Sequence, residues 1–245
     1  MALLSEFGTN ARAFSGVFRV SLSQWPWLLM IVTIDGPAGA GKSSAARQLA
    51  KRLGFRFLDT GAMYRSVTLA ATRNQIDWDN SEALARLVET IDLQISDDRV
   101  LLDGEDVTEA IRTFEITSQT RHAADNRAVR EWMVRRQREI ASNQDFVTEG
   151  RDQATVVFPD AECKIYLTAG EEVRAKRRYQ DLVSRGEQVS LAEVLEKQQQ
   201  RDKRDLQREF GGLRKAADSI EVPTDGLTPE EVVDRLEAIV KSRQP

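Results

Sequence analysis

Cysteine and histidine are almost absent: the chain has one of each, Cys163 and His122. An internal disulfide is thereby excluded, and a metal site built from Cys and His ligands lacks its ligands. The cysteine count fits a reducing cytoplasm. A basic excess is also missing. The formal charge of −4 and a sequence pI near 5.3 argue against a surface that grips nucleic acid by charge. No apolar run is long enough for a membrane span, because the stretch from Trp25 to Ile34 is interrupted by Pro26. No internal repeat or low-complexity tract is evident. What remains is 245 residues, 41% hydrophobic and 30% charged, enough for one sizeable core with smaller inserted lobes.

The most informative segment is Ile31 to Ser44, IVTIDGPAGAGKSS, which matches the phosphate-loop pattern G-x-x-x-x-G-K-[ST] at Gly36 to Ser43. Gly36, Gly39 and Gly41 carry no Cβ, so the backbone can turn several N–H groups toward one anion, and the helix opening after Gly41 adds its positive end. Pro37, Ala38 and Ala40 complete the loop. Lys42 would meet the β and γ phosphates of a triphosphate tail, and the Ser43 hydroxyl would ligate the bridging Mg²⁺. Context supports this. Met30 to Ile34 is apolar without alternation, as in a strand buried on both faces, and Ser44 to Leu53 is helical in composition and stops at Gly54.

The first residues differ from the rest. Four phenylalanines or tryptophans beyond residue 13 (Phe14, Phe18, Trp25, Trp27) and two arginines stand with one acid, Glu6. Residues 1–29 are expected to be an N-terminal extension, disordered or an upstream start with Met30 as the working initiator. From residue 30 onward the alternation of strand and helix indicates a parallel sheet: Phe55 to Leu58 as a second strand, then helices Ala62 to Arg73 and Ser81 to Thr90, with Ser81 as N-cap. Leu93 to Ile95, Val100 to Leu102 and Glu105 to Val107 read as an antiparallel meander, hence an insertion. A helix at Arg127 to Ser142, strands at Asp145 to Thr148 and Lys164 to Leu167, and helices at Glu171 to Arg185, Leu191 to Phe210 and Pro229 to Lys241 complete the pattern.

Arginines recur where a second phosphorylated substrate would lie. Arg65 follows the end of the second strand, and ligands gather at carboxyl ends of strands in open α/β sheets. Glu149-Gly150-Arg151-Asp152 ends another strand; Glu149 could orient metal waters while Arg151 faces phosphate. Arg174, Arg177 and Arg178 share a helix face and repel one another unless an anion lies opposite. Arg201, Asp205 and Arg208 form another stripe. Convergent arginines beside a triphosphate loop suit phosphoryl transfer, which gains its rate from positioning and cationic stabilisation.

These segments together resemble the bacterial cytidylate kinases of the nucleoside monophosphate kinase group. The resemblance runs from residue 30 to about 241 and rests on IDGPAGAGKSS (Ile34 to Ser44), LDTGAMYR (Leu58 to Arg65), LDGEDVTEAIRT (Leu102 to Thr113), VREWMVRRQR (Val129 to Arg138), EGRDQATVVFPDAECKIYL (Glu149 to Leu167) and RDKRD (Arg201 to Asp205). It implies an α/β P-loop three-layer fold with a parallel central sheet, a monophosphate-binding lobe inserted at about 77–120 and a short lid at about 170–188. It implies transfer of the γ-phosphoryl of ATP to CMP or dCMP by a cytoplasmic enzyme that needs no nucleic acid or membrane partner and is expected to be a monomer. Thr60, Tyr64, Arg65, Arg130, Arg151, Asp152, Arg201, Asp205 and Arg208 fall where the family contacts the acceptor nucleotide. Arg130 and Asp152 would read the cytosine edge, which offers an amine donor and ring acceptors. Arg201 and Asp205 would hold ribose and phosphate, and Arg174, Arg177 and Arg178 would close over the ATP phosphates. Ser43 would hold Mg²⁺ with water-mediated help from Glu149 or Asp35.

Two departures bear on specificity. Ala154 stands where members typically have glycine, and Arg121 where many place a base-contacting serine, a change that could admit UMP. Thr60 for a frequent serine keeps the hydroxyl. A GTPase would share the phosphate loop, but no N-K-x-D or D-x-x-G motif follows it. A kinase of UMP, AMP or shikimate is the closer competitor, and an idle nucleotide-binding regulator conflicts with the intact Lys42, Ser43 and arginine set.

Overall fold

The computed structural model describes residues 29–96, 98–184 and 186–244, so the expected extension, but for its last residue, lies outside the described residues. The chain begins with β1 (Ile31–Asp35), the glycine loop and α1 (Lys42–Leu53), then β2 (Arg56–Asp59) and α2 (Thr60–Arg73). Next come α3 (Ser81–Thr90), the short strands β3 (Leu93–Ile95), β4 (Val100–Leu102) and β5 (Glu105–Asp106), and α4 (Phe114–Asp125). The remainder is α5 (Arg127–Ala141), β6 (Phe146–Gly150), β7 (Cys163–Thr168), α6 (Glu171–Ser184), α7 (Leu191–Gln207), β8 (Ile220–Pro223) and α8 (Pro229–Lys241).

Five strands form one parallel sheet in the order β2-β6-β1-β7-β8, and β3-β4-β5 form a separate antiparallel sheet. The register sets Asp35 opposite Gly150 and Asp59 opposite Glu149, so the carboxyl ends of β1, β2 and β6 finish level. That edge is where ligands collect in such sheets. Successive side chains of a strand point to opposite faces, and two cores result. Phe57, Val147, Val32 and Ile165 pack with Leu49 of α1 and Leu236 of α8. Leu58 and Phe146 pack instead with Met63 of α2 and with Trp132 and Met133 of α5.

Two local readings are corrected. Asn80, not Ser81, caps α3, its side chain accepting from the Ala83 amide at 3.0 Å. The helix from Leu191 ends at Gln207 rather than Phe210, because Arg208 leaves helical geometry and the chain turns through Gly211 and Gly212. α4 and β8 were not anticipated. In α4 only Ile116 and Ala123 are buried, too few to make a periodic stripe, and β8 is a four-residue edge strand ending in proline. Among the described residues no helix is long and apolar enough to cross a membrane.

Candidate functional site

The glycine loop leaves β1 at the level edge of the sheet. A Cβ on Gly36 would overlap the Leu167 carbonyl of β7, so only glycine lets the chain turn there. Gly41, at φ 89°, supplies the N-cap of α1 without a side-chain cap, and the first amides of the helix remain for an anion.

Lys42 is 5% exposed, and its Nζ donates to the Pro37 carbonyl at 2.8 Å. Burial, reinforced by the neighbouring Arg151, brings its ammonium down to about 7. Asp35 carries the mirror perturbation. Burial raises its carboxyl to about 7, although the amides of Ala154 and Gln153 donate to it at 2.7 and 2.9 Å. Those two bonds pin the turn that follows Arg151 and Asp152 to the start of the phosphate loop. Ser43 donates its hydroxyl to Glu149 Oε1 at 2.9 Å. Of the two carboxylates expected near Ser43, Glu149 is the one bonded to it, while both oxygens of Asp35 accept backbone amides.

Mg²⁺ prefers few protein ligands and keeps several waters, relying on substrate phosphates for the rest. The donor set fits that habit. It consists of one hydroxyl with one adjacent carboxylate, and among the described residues no group of three His, Cys, Asp or Glu side chains could form a protein cage for a metal.

On the other side of the cleft lies a net of charges. Arg130 of α5 and Asp152, 4% and 6% exposed, form a salt bridge, and the guanidinium sits 5.7 Å from the Tyr64 ring centroid. Burial pushes the Asp152 carboxyl upward against the pull of Arg130. Arg130 Nε is buried with no partner. Asp205 on α7 accepts from Arg151 Nε at 2.9 Å and from Arg208 Nη2 at 3.1 Å. Burial works to raise its carboxyl, but Arg151, Arg201 and Arg208 outweigh that and hold it below the usual carboxylate range. Arg208 also donates twice to Asp125 at the end of α4. Thr60 donates to the Glu149 carbonyl at 2.7 Å, and Arg65 lies 3.6 Å from Asp59, the residue that caps α2 through the Ala62 amide.

The arginines expected over the ATP phosphates are arranged differently from one another. Arg174 donates to the carbonyls of Ala169 and Ala38, both at 2.9 Å, and to Asp202 at 2.6 Å. It therefore braces the glycine loop from beneath and ties it to α7. Arg177 bonds the hydroxyl and carbonyl of Thr224, and Arg178 pairs with Asp181 on the surface. Arg121 is exposed and donates to His122 at 3.2 Å. Ala154 is buried, contributing its amide rather than its methyl to the Asp35 contact.

Sequence reasoning missed Asp125, Asp202 and Gly211, all bonded to site arginines here. Asp202 sits within the quoted RDKRD motif, so a signal existed; Asp125 and Gly211 carried none.

A family model described as cytidylate kinase matches residues 32–242. A cytidylate kinase of Rhodopirellula baltica is 51% identical over 212 residues, covering 86% of this chain and 93% of the relative. Those of Geobacter sulfurreducens and Bacillus subtilis are each 44% identical, covering 88% and 85% of this chain and 94% and 95% of theirs.

Proposed function

The chain belongs to the cytidylate kinase family, which phosphorylates CMP and dCMP with ATP in pyrimidine nucleotide metabolism, and from that premise we propose how its residues divide the work. The carrying observation is the pairing of a glycine loop that ends in buried Lys42 with a buried Arg130–Asp152 pair across an arginine-rich cleft.

The loop amides, Ala38 to Ser44, and Lys42 hold the ATP phosphates. The Lys42 ammonium, held down to about 7 by burial, returns to full charge when phosphate oxygens surround it. Ser43, with Glu149 behind it, would hold Mg²⁺, which when bound neutralises charge on the β and γ phosphates. Asp152 accepts the exocyclic amine of cytosine, and Arg130 donates to a ring acceptor. Arg65, Arg151, Arg201 and Arg208 hold the acceptor phosphate, Thr60 and Tyr64 line its seat, and Asp205 keeps the guanidiniums apart and meets the ribose.

In the reaction an oxygen of the acceptor phosphate attacks the γ phosphorus in line. The bond from that phosphorus to the β–γ bridging oxygen breaks, and ADP leaves with CDP or dCDP as the other product. No general base is required, since the attacking oxygen is already anionic near neutral pH. Arg151 stabilises charge on the moving group, and Arg178 joins it when the segment around residues 170–188 closes to exclude water. Arg174 contributes by fixing the Ala38 carbonyl and so the shape of the loop. A cytoplasmic monomer acting on small molecules completes the reading.

The test is ATP-dependent turnover with CMP, dCMP, UMP, AMP and shikimate side by side. Preference for CMP and dCMP is expected. Equal use of UMP would overturn the base-reading roles of Arg130 and Asp152, and near-normal rates for Lys42→Ala would overturn the role of Lys42.

A further inference from the structure

Gly211 lies in the turn after α7 at φ 68°, and its carbonyl accepts from Arg130 Nη2 at 2.9 Å. A Cβ there would overlap the ends of the Arg130 and Asp152 side chains. The turn cannot slide away easily. The Leu213 amide donates to the Asp205 carbonyl at 2.8 Å, and Leu213 is buried.

We propose that Gly211 is a specificity-determining position: its carbonyl and its lack of a side chain set the Arg130–Asp152 pair in the geometry that selects cytosine over uracil. This rests on the reading of that pair as the base reader. Arg130 donates through Nη1 to the Ala124 carbonyl at 3.1 Å and through Nη2 to Gly211 and Asp152, which leaves Nε buried and without a partner. A buried N–H of that kind calls for an acceptor from a ligand. Cytosine presents a ring acceptor beside an amine donor, whereas uracil reverses both, so discrimination depends on keeping donor and carboxylate side by side. The atoms a new methyl would meet are the ends of flexible side chains. The backbone therefore keeps its course and the pair moves.

The experiment compares Gly211→Ala with Gly54→Ala. Gly54 has nearly the same φ, 71°, but nothing lies within 4 Å of the added methyl. Both variants carry the strain of a left-handed alanine, and only one touches the pair. For Gly211→Ala the KM for CMP is expected to rise by about tenfold or more, the size of one good bidentate contact, and the CMP to UMP ratio of kcat/KM to fall in proportion. The kcat and the KM for ATP should match those of Gly54→Ala. The proposal is overturned if the CMP constants and the CMP to UMP ratio of Gly211→Ala equal those of Gly54→Ala. Arg130→Met separates this failure from failure of the underlying reading: if it keeps the CMP preference, the pair does not read the base and both claims fall. In the double variant Gly211→Ala/Arg130→Met the methyl still meets Asp152 but no guanidinium, so the combined loss should be less than the sum of the two single losses; fully additive losses would show that Gly211 acts elsewhere.

Discussion

Replacing Lys42 by methionine should make the empty protein more stable while abolishing turnover. Lys42 is buried, and among the described residues the only hydrogen bond of its ammonium is to the Pro37 carbonyl, so that ammonium is held with far less solvation than in the unfolded chain. Its ordinary value of 10.5 falls to about 7. At about 1.4 kcal/mol per pH unit, that interval corresponds to at most about 5 kcal/mol against the folded state below pH 7. Methionine fills similar space and carries no charge. Even if loop relaxation recovers half of the penalty, a chain of this size should gain roughly 5 to 10 °C in Tm at pH 6.

The pH dependence gives the prediction its sign. Between pH 7 and 10.5 the unfolded chain binds the lysine proton and the folded one does not, so the stability of the natural protein rises with pH in that window. The advantage of Lys42→Met should therefore shrink by about 2 kcal/mol between pH 7 and 8.5. Asp35 works in the opposite sense and in a lower window. Its folded carboxyl, raised from 3.8 to about 7, keeps a proton that the unfolded chain has lost, so it lowers stability as pH rises through that interval. Without the attraction of Lys42 that loss extends to higher pH and shrinks the variant's advantage further. Thermal melts of both proteins without nucleotide, at pH 6, 7 and 8.5, make the measurement. An unchanged or lower Tm for the variant at pH 6, or a gap that stays constant with pH, would refute the account of Lys42 as a charge held in reserve for phosphate.

Other outcomes are expected from the same net. Arg151→Ala should lower kcat by at least about a hundredfold, the scale of a lost transition-state donor, with circular dichroism unchanged; near-normal turnover would remove Arg151 from the mechanism. Asp125→Asn should lower the KM for CMP by up to about fivefold, because a half-exposed carboxylate worth roughly 0.2–1 kcal/mol no longer competes with the acceptor phosphate for Arg208. A rise in that KM would mean that Asp125 positions Arg208 rather than competing for it. Ala154→Gly should keep CMP turnover and lower Tm by about 2 to 4 °C, the effect of about 1 kcal/mol of backbone freedom in a chain of this size. A changed CMP to UMP ratio would show that the methyl shapes the base pocket.

The parts legible in the sequence were those dictated by local chemistry. The phosphate loop is readable because Gly36, Lys42 and Ser43 each have a local reason to be there, and α8 because Thr228 and Glu231 form a capping box ahead of an apolar stripe. α4 was illegible because its burial is decided by α2 rather than by its own period, and Gln119 reaches Thr72 only in the folded chain. The contacts of Arg174 were hidden for a related reason. A cluster of three like charges on a helix face suggests an anion, but Arg174 also meets Asp202 and the Ala38 carbonyl, supplied by segments distant in the chain, and the nearby Ala169 carbonyl. Gly211 shows the same limit, since a glycine in a turn is locally unremarked until Arg130 is found against it.

The buried polar atoms left without partners include Arg65 Nε, Arg130 Nε and Asp202 Oδ1, all on side chains that border the cleft. Each disfavours folding unless something supplies the missing bond, as does the weakly solvated ammonium of Lys42. Stability must then come from elsewhere. The two apolar cores on either face of the sheet provide it, one of them reaching the charge net through Tyr64, and substitutions that hollow Leu49 or Met133 should weaken the fold. A nucleotide that brings phosphates to Lys42 and an acceptor to Arg130 satisfies several of these groups at once. Under the proposed roles, binding and the correction of these deficits are the same event, while the unpartnered atoms of Thr33, Gln137 and Thr155 lie on residues with no assigned contact to substrate.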